Sequence, residues 1–402
     1  MTDQFDLKYA APDGTKITGP IRIKSIYIHP IKSCGFVEVN RALLSKTGFL
    51  YDRCFALATE AADPDTGTVS WKFLSQRTKP QMCHIKTDIW VPRRDSDQNE
   101  PLVQAGGCVV VTFPDPDPPS WIQRLETLLH TRSLSTNPKV SFIVPLEPTP
   151  TLVDEFGINL KTFGIHARDA SGLDMGKIPS VAAALPKLKN FLAIPEKRGL
   201  TLTRCTPDTL TRTDRNLAPL EYIGSPAVHG YTDQQPLVLG PRRVRSPPPE
   251  NRPLDALRFR ANLWITGAPA FAEEAWKRYR ILPRGASRDP RADVSPKLSV
   301  VCRTSRCTMP NVNLETGAFD ADTPSTGRKK GKPQPSATLI EHRTPETGNP
   351  KALGYIGMHC VPEDPDLKEA EKQGQGLYVE VGDEIEVLET GEHLYGSTGN
   401  DY

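Results

Sequence analysis

Residues 21–29 read IRIKSIYIH, and apolar and polar side chains alternate along them as in a strand with one buried face. Similar stretches follow at 36–44 (FVEVNRALL), 53–59 (RCFALAT), 83–91 (CHIKTDIWV) and 108–113 (CVVVTF), with turn residues at 64–67 and 106–107 between them. Short strands punctuated in this way predict an antiparallel barrel or sandwich. The 39 prolines and 29 glycines in 402 residues point the same way, since proline removes the donor that a helix interior needs.

Further along, apolar spacing predicts helices over 121–129 and 181–192, and a third over 269–281 (PAFAEEAWKRYRI) with Pro269 at its first position. Strands are predicted at 262–267 (NLWITG) and 298–304 (LSVVCRT), and two more about a turn in 377–389 (LYVEVGDEIEVLE). The polar, turn-rich 201–228 marks a junction. The chain thus divides into a polar tail (1–20), a first domain (21–200), a second domain (201–390) with a flexible insert at 320–336, and a second tail (391–402). The fold class is mixed α+β, dominated by β-structure.

With 37% hydrophobic and 24% charged residues the chain is neither disordered nor unusual for a globular protein. A net charge of +2 gives no reason to expect a nucleic-acid partner. No run reaches the ~18 apolar residues of a membrane helix, and the first residues lack the pattern of a secretory signal. The expected setting is cytoplasmic, with the eight cysteines as thiols. None of these cysteines forms a C-x-x-C pair, which argues against structural zinc and iron–sulfur clusters. There is no P-loop, dinucleotide loop or G-x-S-x-G elbow.

Four clusters carry chemistry. In 27–35 (YIHPIKSCG) a strand ends at Pro30 and releases Lys32 and Ser33 into a turn suited to a phosphate. In 48–53 (GFLYDR), Asp52 and Arg53 open the next strand. In 257–267 (LRFRANLWITG), strand alternation predicts Arg258, Arg260 and Asn262 on one face, a set suited to planar anionic or heterocyclic ligands. In 300–317 (VVCRTSRCTMPNVNLETG) a strand leads to Cys307 beside Arg306, and a thiolate near a cation can ligate a soft metal. Taken singly, each has a plainer reading: solvated loop charges, a polar edge strand, an inert buried cysteine.

In this order, however, the clusters resemble the MOSC (molybdenum cofactor sulfurase C-terminal) proteins, in particular the mitochondrial amidoxime-reducing component and its bacterial relatives. YIHPIKSCGFVEV and GFLYDRCFAL resemble the β-barrel domain that precedes MOSC. YTDQQPLVL (231–239), FRANLWITG and SRCTMPNVNLETG resemble the cofactor-binding segments of MOSC itself. The resemblance implies an N-terminal MOSC-type barrel followed by a MOSC barrel with peripheral helices, binding Mo-molybdopterin. Cys307 would supply a thiolate to the metal. Lys32, Ser33 and Arg53 would hold the phosphate and pterin side. Arg260 and Asn262 would contact the pterin, with Arg306 beside the thiolate and Thr232 and the catalytic Asp233 near the metal.

The implied activity is reduction of N-hydroxylated small molecules, with cytochrome b5 and its reductase as electron donors. The implied location is the cytoplasm or the periphery of the mitochondrial outer membrane. The alternative is a cofactor carrier or sulfur-transfer protein; the pyridoxal-phosphate half of the sulfurase has no counterpart here. One departure stands out: Asn313 takes the place of the aspartate in the family's V-D-P-x-T-G run.

Overall fold

The computed structural model describes residues 19–393, apart from 63–66, 94, 118, 123–124, 126–127, 130–137, 166–167, 213–217, 232–235, 242–253, 285–289, 323–329 and 346–351. The predicted β-dominated fold is what it shows. A small closed barrel is made by Leu160–Ile165, Arg168–Asp174, Leu200–Arg204, Phe55–Ala62 and Val69–Phe73. Its interior holds Ala56, Ala58, Phe163, Ile165 and Tyr231, small side chains on one wall making room for aromatic ones. Beside it lies an antiparallel sheet of Lys86–Trp90, Cys108–Pro114 and Lys139–Pro145. Helix Pro179–Phe191 buries Val181, Ala184 and Leu188, which join the inward residues Val109, Val111, Phe142 and Val144 in one core.

A larger ring runs through Leu263–Thr266, Leu237–Pro241, Tyr355–Pro362, Lys297–Ser305, Trp276–Leu282, Glu384–Thr390 and Ile21–Ile28, closing by the pairing of the last with the first. The chain's first strand is therefore a stave of the second barrel, with Ile23 opposite Ile265 and Ile21 opposite Ile385. A cut near residue 200 does not separate the two barrels in space. Nor is 201–204 part of a junction, because Leu200–Arg204 pairs with Phe55–Ala62 inside the small barrel.

Two other expectations change. The predicted helix at 269–281 is a short 3-10 turn, Ala272–Ala275, followed by strand Trp276–Leu282. Tyr279 and Ile281 face the core while Arg278 and Arg280 do not, but two register irregularities between Trp276 and Tyr279 break the alternation. The broken spacing imitates a helical one. The insert at 320–336, expected as a flexible loop, is closed at its base, and its residues 323–329 lie outside the described ones. Asp322 N donates to Lys332 O (2.9 Å) and Gln334 N to Asp320 O (3.0 Å), and helix Ser336–His342 begins at its end. The described residues of 121–129 are helical, as predicted, yet Trp121, Ile122 and Leu129 are exposed.

Candidate molybdenum cofactor site

Beyond Ile28 the chain turns at Pro30, and Ser33 takes a left-handed conformation (φ 66°). Two backbone bonds fasten this turn to the neighbouring segment: Arg53 N donates to His29 O (2.7 Å) and Lys32 N to Phe55 O (2.7 Å). Arg53 is also left-handed (φ 51°). Its guanidinium pairs with Asp52, donates through Nη1 to Asn262 Oδ1 (3.0 Å), and through Nη2 to Arg260 O (2.8 Å). Asp52 Oδ1 in turn accepts from His29 N (2.7 Å). Arg260 is the third left-handed residue (φ 52°), with Nη1 donating to Cys34 O (2.5 Å). Buried Asn262 closes the set: Nδ2 donates to Tyr27 O (3.0 Å) and Oδ1 accepts from Val238 N (3.3 Å).

Three segments remote in sequence thus lock into one cradle. A left-handed non-glycine residue costs about 1 kcal/mol or more and persists only where its surroundings over-determine it. Three of the six left-handed non-glycine residues among the described residues meet here, so strain is concentrated at this site.

The cradle is also short of partners. Ser33 Oγ and Arg260 Nη2 are buried without a hydrogen bond among the described residues, and the buried His29 ring interacts with the Ala261 backbone and the nearby arginines. Burial, then the charge of Arg53, brings Arg260 down to about 10, which still leaves it a cation at neutral pH. Burial, then Arg260 and Arg53, holds His29 well below the ordinary histidine range. His359 is brought down to about 3 by burial and then by Arg306 and Arg53. Both rings are neutral at physiological pH. Lys32 lies with Nζ 5.3 Å from the centre of the Phe73 ring, on the side of the small barrel.

Arg306 joins the cysteine to this cradle. Its side chain donates to Ile356 O (Nε, 2.9 Å) and Phe259 O (Nη1, 2.8 Å), while its backbone N donates to Gly354 O (3.0 Å). Gly357 must be glycine for this: φ is 80°, and a Cβ would sit 2.6 Å from Leu239 O and 3.2 Å from Arg306 Nη2. Since Phe259 immediately precedes Arg260, the residue before Cys307 is fixed to the residue before the cradle's central arginine. Cys307 itself is partly accessible, whereas Cys302 and five others of the eight cysteines are buried. Among the described residues no group of three or more His, Cys, Asp or Glu is placed to hold a bare metal ion. A metal bound through Cys307 would have to bring most of its own ligands.

The expected common face of Arg258, Arg260 and Asn262 does not exist. Ala256–Phe259 is a 3-10 turn and Arg260 is left-handed, so strand alternation does not apply. Arg258 Nη1 instead pairs with Asp320 Oδ2 (2.7 Å). That carboxylate also accepts from Asn313 Nδ2 (3.2 Å), while Asn313 Oδ1 accepts from the N–H groups of Glu315 and Thr316 (2.9 and 3.2 Å). A carboxylate therefore stands beside the position where the sequence carries an amide. Thr232 and Asp233 lie outside the described residues. The sequence reading passed over His29, although it sits within the first cluster, and also over His229 and His359. All three are buried, and His359 lies within electrostatic reach of both His229 and Arg306.

The profile of the MOSC N-terminal beta barrel domain matches residues 20–114, and that of the MOSC domain matches residues 227–386. Together these segments take in more than half of the chain, which belongs to the MOSC-domain proteins. MOSC domains bind the molybdenum cofactor. Among curated proteins no match was found. The cradle suits such a cofactor: buried donors lacking partners for a phosphate, and an accessible thiol for a soft metal.

Proposed function

We propose that this protein is a molybdenum-cofactor-dependent oxidoreductase that reduces N-hydroxylated small molecules, such as amidoximes and hydroxylamines, with electrons from an external donor. The observation that carries the reading is the partly accessible Cys307 fixed, through Arg306 and Phe259, to a cradle whose buried donors lack partners. Ser33 and Arg260, with Lys32, would hold the cofactor's phosphate. Arg53 and Asn262 keep Arg260 in place and, with it, would orient the pterin. Cys307 would ligate the metal. The bound molybdenum centre would supply the two-electron change that N–O reduction needs.

Proton delivery falls to this chain's own groups. Asp320, held by Arg258 and Asn313, is a carboxylate within hydrogen-bond reach of the position of the family's aspartate, and Asp233 is a second candidate donor. The neutral rings of His29 and His359 would keep the cradle's positive charge on its arginines. Cytochrome b5 and its reductase are the donors that the family resemblance suggests. The protein would work in the cytoplasm or at the mitochondrial outer membrane; no helix among the described residues is long and apolar enough to cross a membrane.

The test is metal analysis of protein made with an intact cofactor pathway, comparing wild type with Cys307→Ala, followed by an amidoxime reduction assay. About one molybdenum per chain, with activity lost in the variant, is expected. Molybdenum without reduction under a competent donor would instead identify a cofactor carrier. Wild-type protein free of molybdenum would defeat both readings.

A further inference from the structure

A cavity of about 590 Å³ opens between the three-stranded sheet of the first half and the loop that follows Cys307. Its size is that of a site for a small organic molecule. Neither Ser33, Arg53, Arg260, Asn262 nor Cys307 lines it, although Cys83 in its wall lies within electrostatic reach of Arg260, so the cavity adjoins the cofactor cradle without including it. The chemistry of its walls is lopsided. Pro114, Pro116, Pro119 and Pro138 give apolar surface with no N–H to offer, and Phe113 and Leu314 add to it.

The charges at its rim do not cancel. Asp115 and Asp117 share a single ammonium, that of Lys187, at 2.7 and 3.1 Å. Lys86 and Lys139 also line the cavity, and neither has a carboxylate partner among the described residues. With Lys187 counted, two cations stand against one uncompensated carboxylate among the described residues, a net positive charge.

We infer that this cavity is a binding site for a small amphiphile with an apolar body and one anionic headgroup. The body would lie against the prolines and Phe113, and the headgroup would reach Lys86 and Lys139. Such a ligand would also bridge the two halves of the molecule. Leu314 belongs to the loop after Cys307, and that loop is already docked on the first half: His84 Nε2 lies 3.1 Å from Glu315 O, and a Cβ on Gly317 would sit 2.8 Å from the His84 ring. Occupancy is therefore read as a rise in melting temperature as well as by heat of binding. The inference does not rest on the cofactor reading and is testable with or without bound cofactor.

The probe is octanoate, titrated below its micellar range into the full chain by calorimetry, against octyltrimethylammonium of equal chain length. Octanoate is expected to bind saturably, with a dissociation constant on the order of a millimolar or tighter, and to raise the melting temperature. The cationic amphiphile should bind at least about tenfold more weakly, the factor that ~1.4 kcal/mol of headgroup preference gives. The double variant Lys86→Gln/Lys139→Gln should weaken octanoate roughly fivefold, as two exposed charge contacts would. Thr112→Trp, on the partly exposed strand lining the cavity, should fill it and abolish binding. Equal affinity for both headgroups, undiminished binding by Thr112→Trp, or no saturable heat from octanoate would overturn the inference; the headgroup comparison needs no variant to fold.

Discussion

Arginine is held below the surface in two contrasting ways in this molecule. On the large ring, Arg278 meets Glu363 with two parallel bonds of 2.8 and 2.9 Å, and Ser299 Oγ adds a third to the same carboxylate (3.0 Å). In the cradle, Arg260 lies beside Arg53, bonds to a carbonyl, and leaves Nη2 without a partner. The first arrangement is complete and needs nothing further. The second is costly as it stands, because a buried cation next to another cation lacks the compensation that burial demands. A fold that satisfies the partly buried Arg278 and leaves an atom of Arg260 unsatisfied separates an architectural arginine from one in the proposed cofactor site.

The contrast can be broken by removing each charge in cofactor-free protein. Glu363→Ala strands Arg278 and should cost roughly 3 kcal/mol in urea unfolding. Arg260→Met also relieves repulsion with Arg53, so its change should stay under about 1 kcal/mol; a loss as large as that of Glu363→Ala would make Arg260 a structural residue and end the comparison.

Glu273 sharpens it further, as a buried carboxyl with Oε1 unpartnered, away from the cradle segments. Burial pushes its pKa from 4.5 to about 7. Between those values the folded chain binds more protons than the unfolded one, so stability falls as pH rises, and the penalty is complete above about 7. Glu273→Gln should therefore gain up to about 3 kcal/mol at high pH and little in acid, as read by denaturant titrations at several pH values. An equal gain at all pH values would show that the carboxyl is not the cause. The smallest effect is expected from Ser33→Gly. It removes a left-handed side chain and an unpartnered hydroxyl, and should raise the unfolding free energy by roughly 1 kcal/mol or less.

Cys108–Pro114 was legible because it buries one face, and Ile21–Ile28 because its residue types alternate, although Ser25 to Ile28 are buried on both faces in the fold. Trp276–Leu282 was not, because a bulge shifts the period within seven residues. Membership of the ring was hidden as well: alternation marks Ile21–Ile28 as a strand but does not tell which distant strand covers its edge. At the site, residue types near turns pointed to Lys32, Ser33, Arg53 and Arg260, and the resemblance ordered them. The left-handed backbone at Arg260 could not be read from LRFRAN, since arginine has no special preference for it, and so Arg258 was expected on one face with Arg260 and Asn262 rather than against Asp320. His229 comes from the short strand Val228–His229, outside the ring, and His359 from a ring strand; the two approach only in the fold, and no local pattern announces them.

The placement of Ile21–Ile28 has a consequence for how the molecule is made. This strand leaves the ribosome long before its partner Glu384–Thr390, with most of both barrels made in between. Until then Ile23, Ile26 and Ile28, which belong to the ring's core, lack part of their cover. The barrel that carries Cys307 cannot close until residues 384–390 have been made. A nascent chain stalled before residue 384 would keep an open sheet edge, the feature by which chaperones and proteases tell unfinished proteins from finished ones.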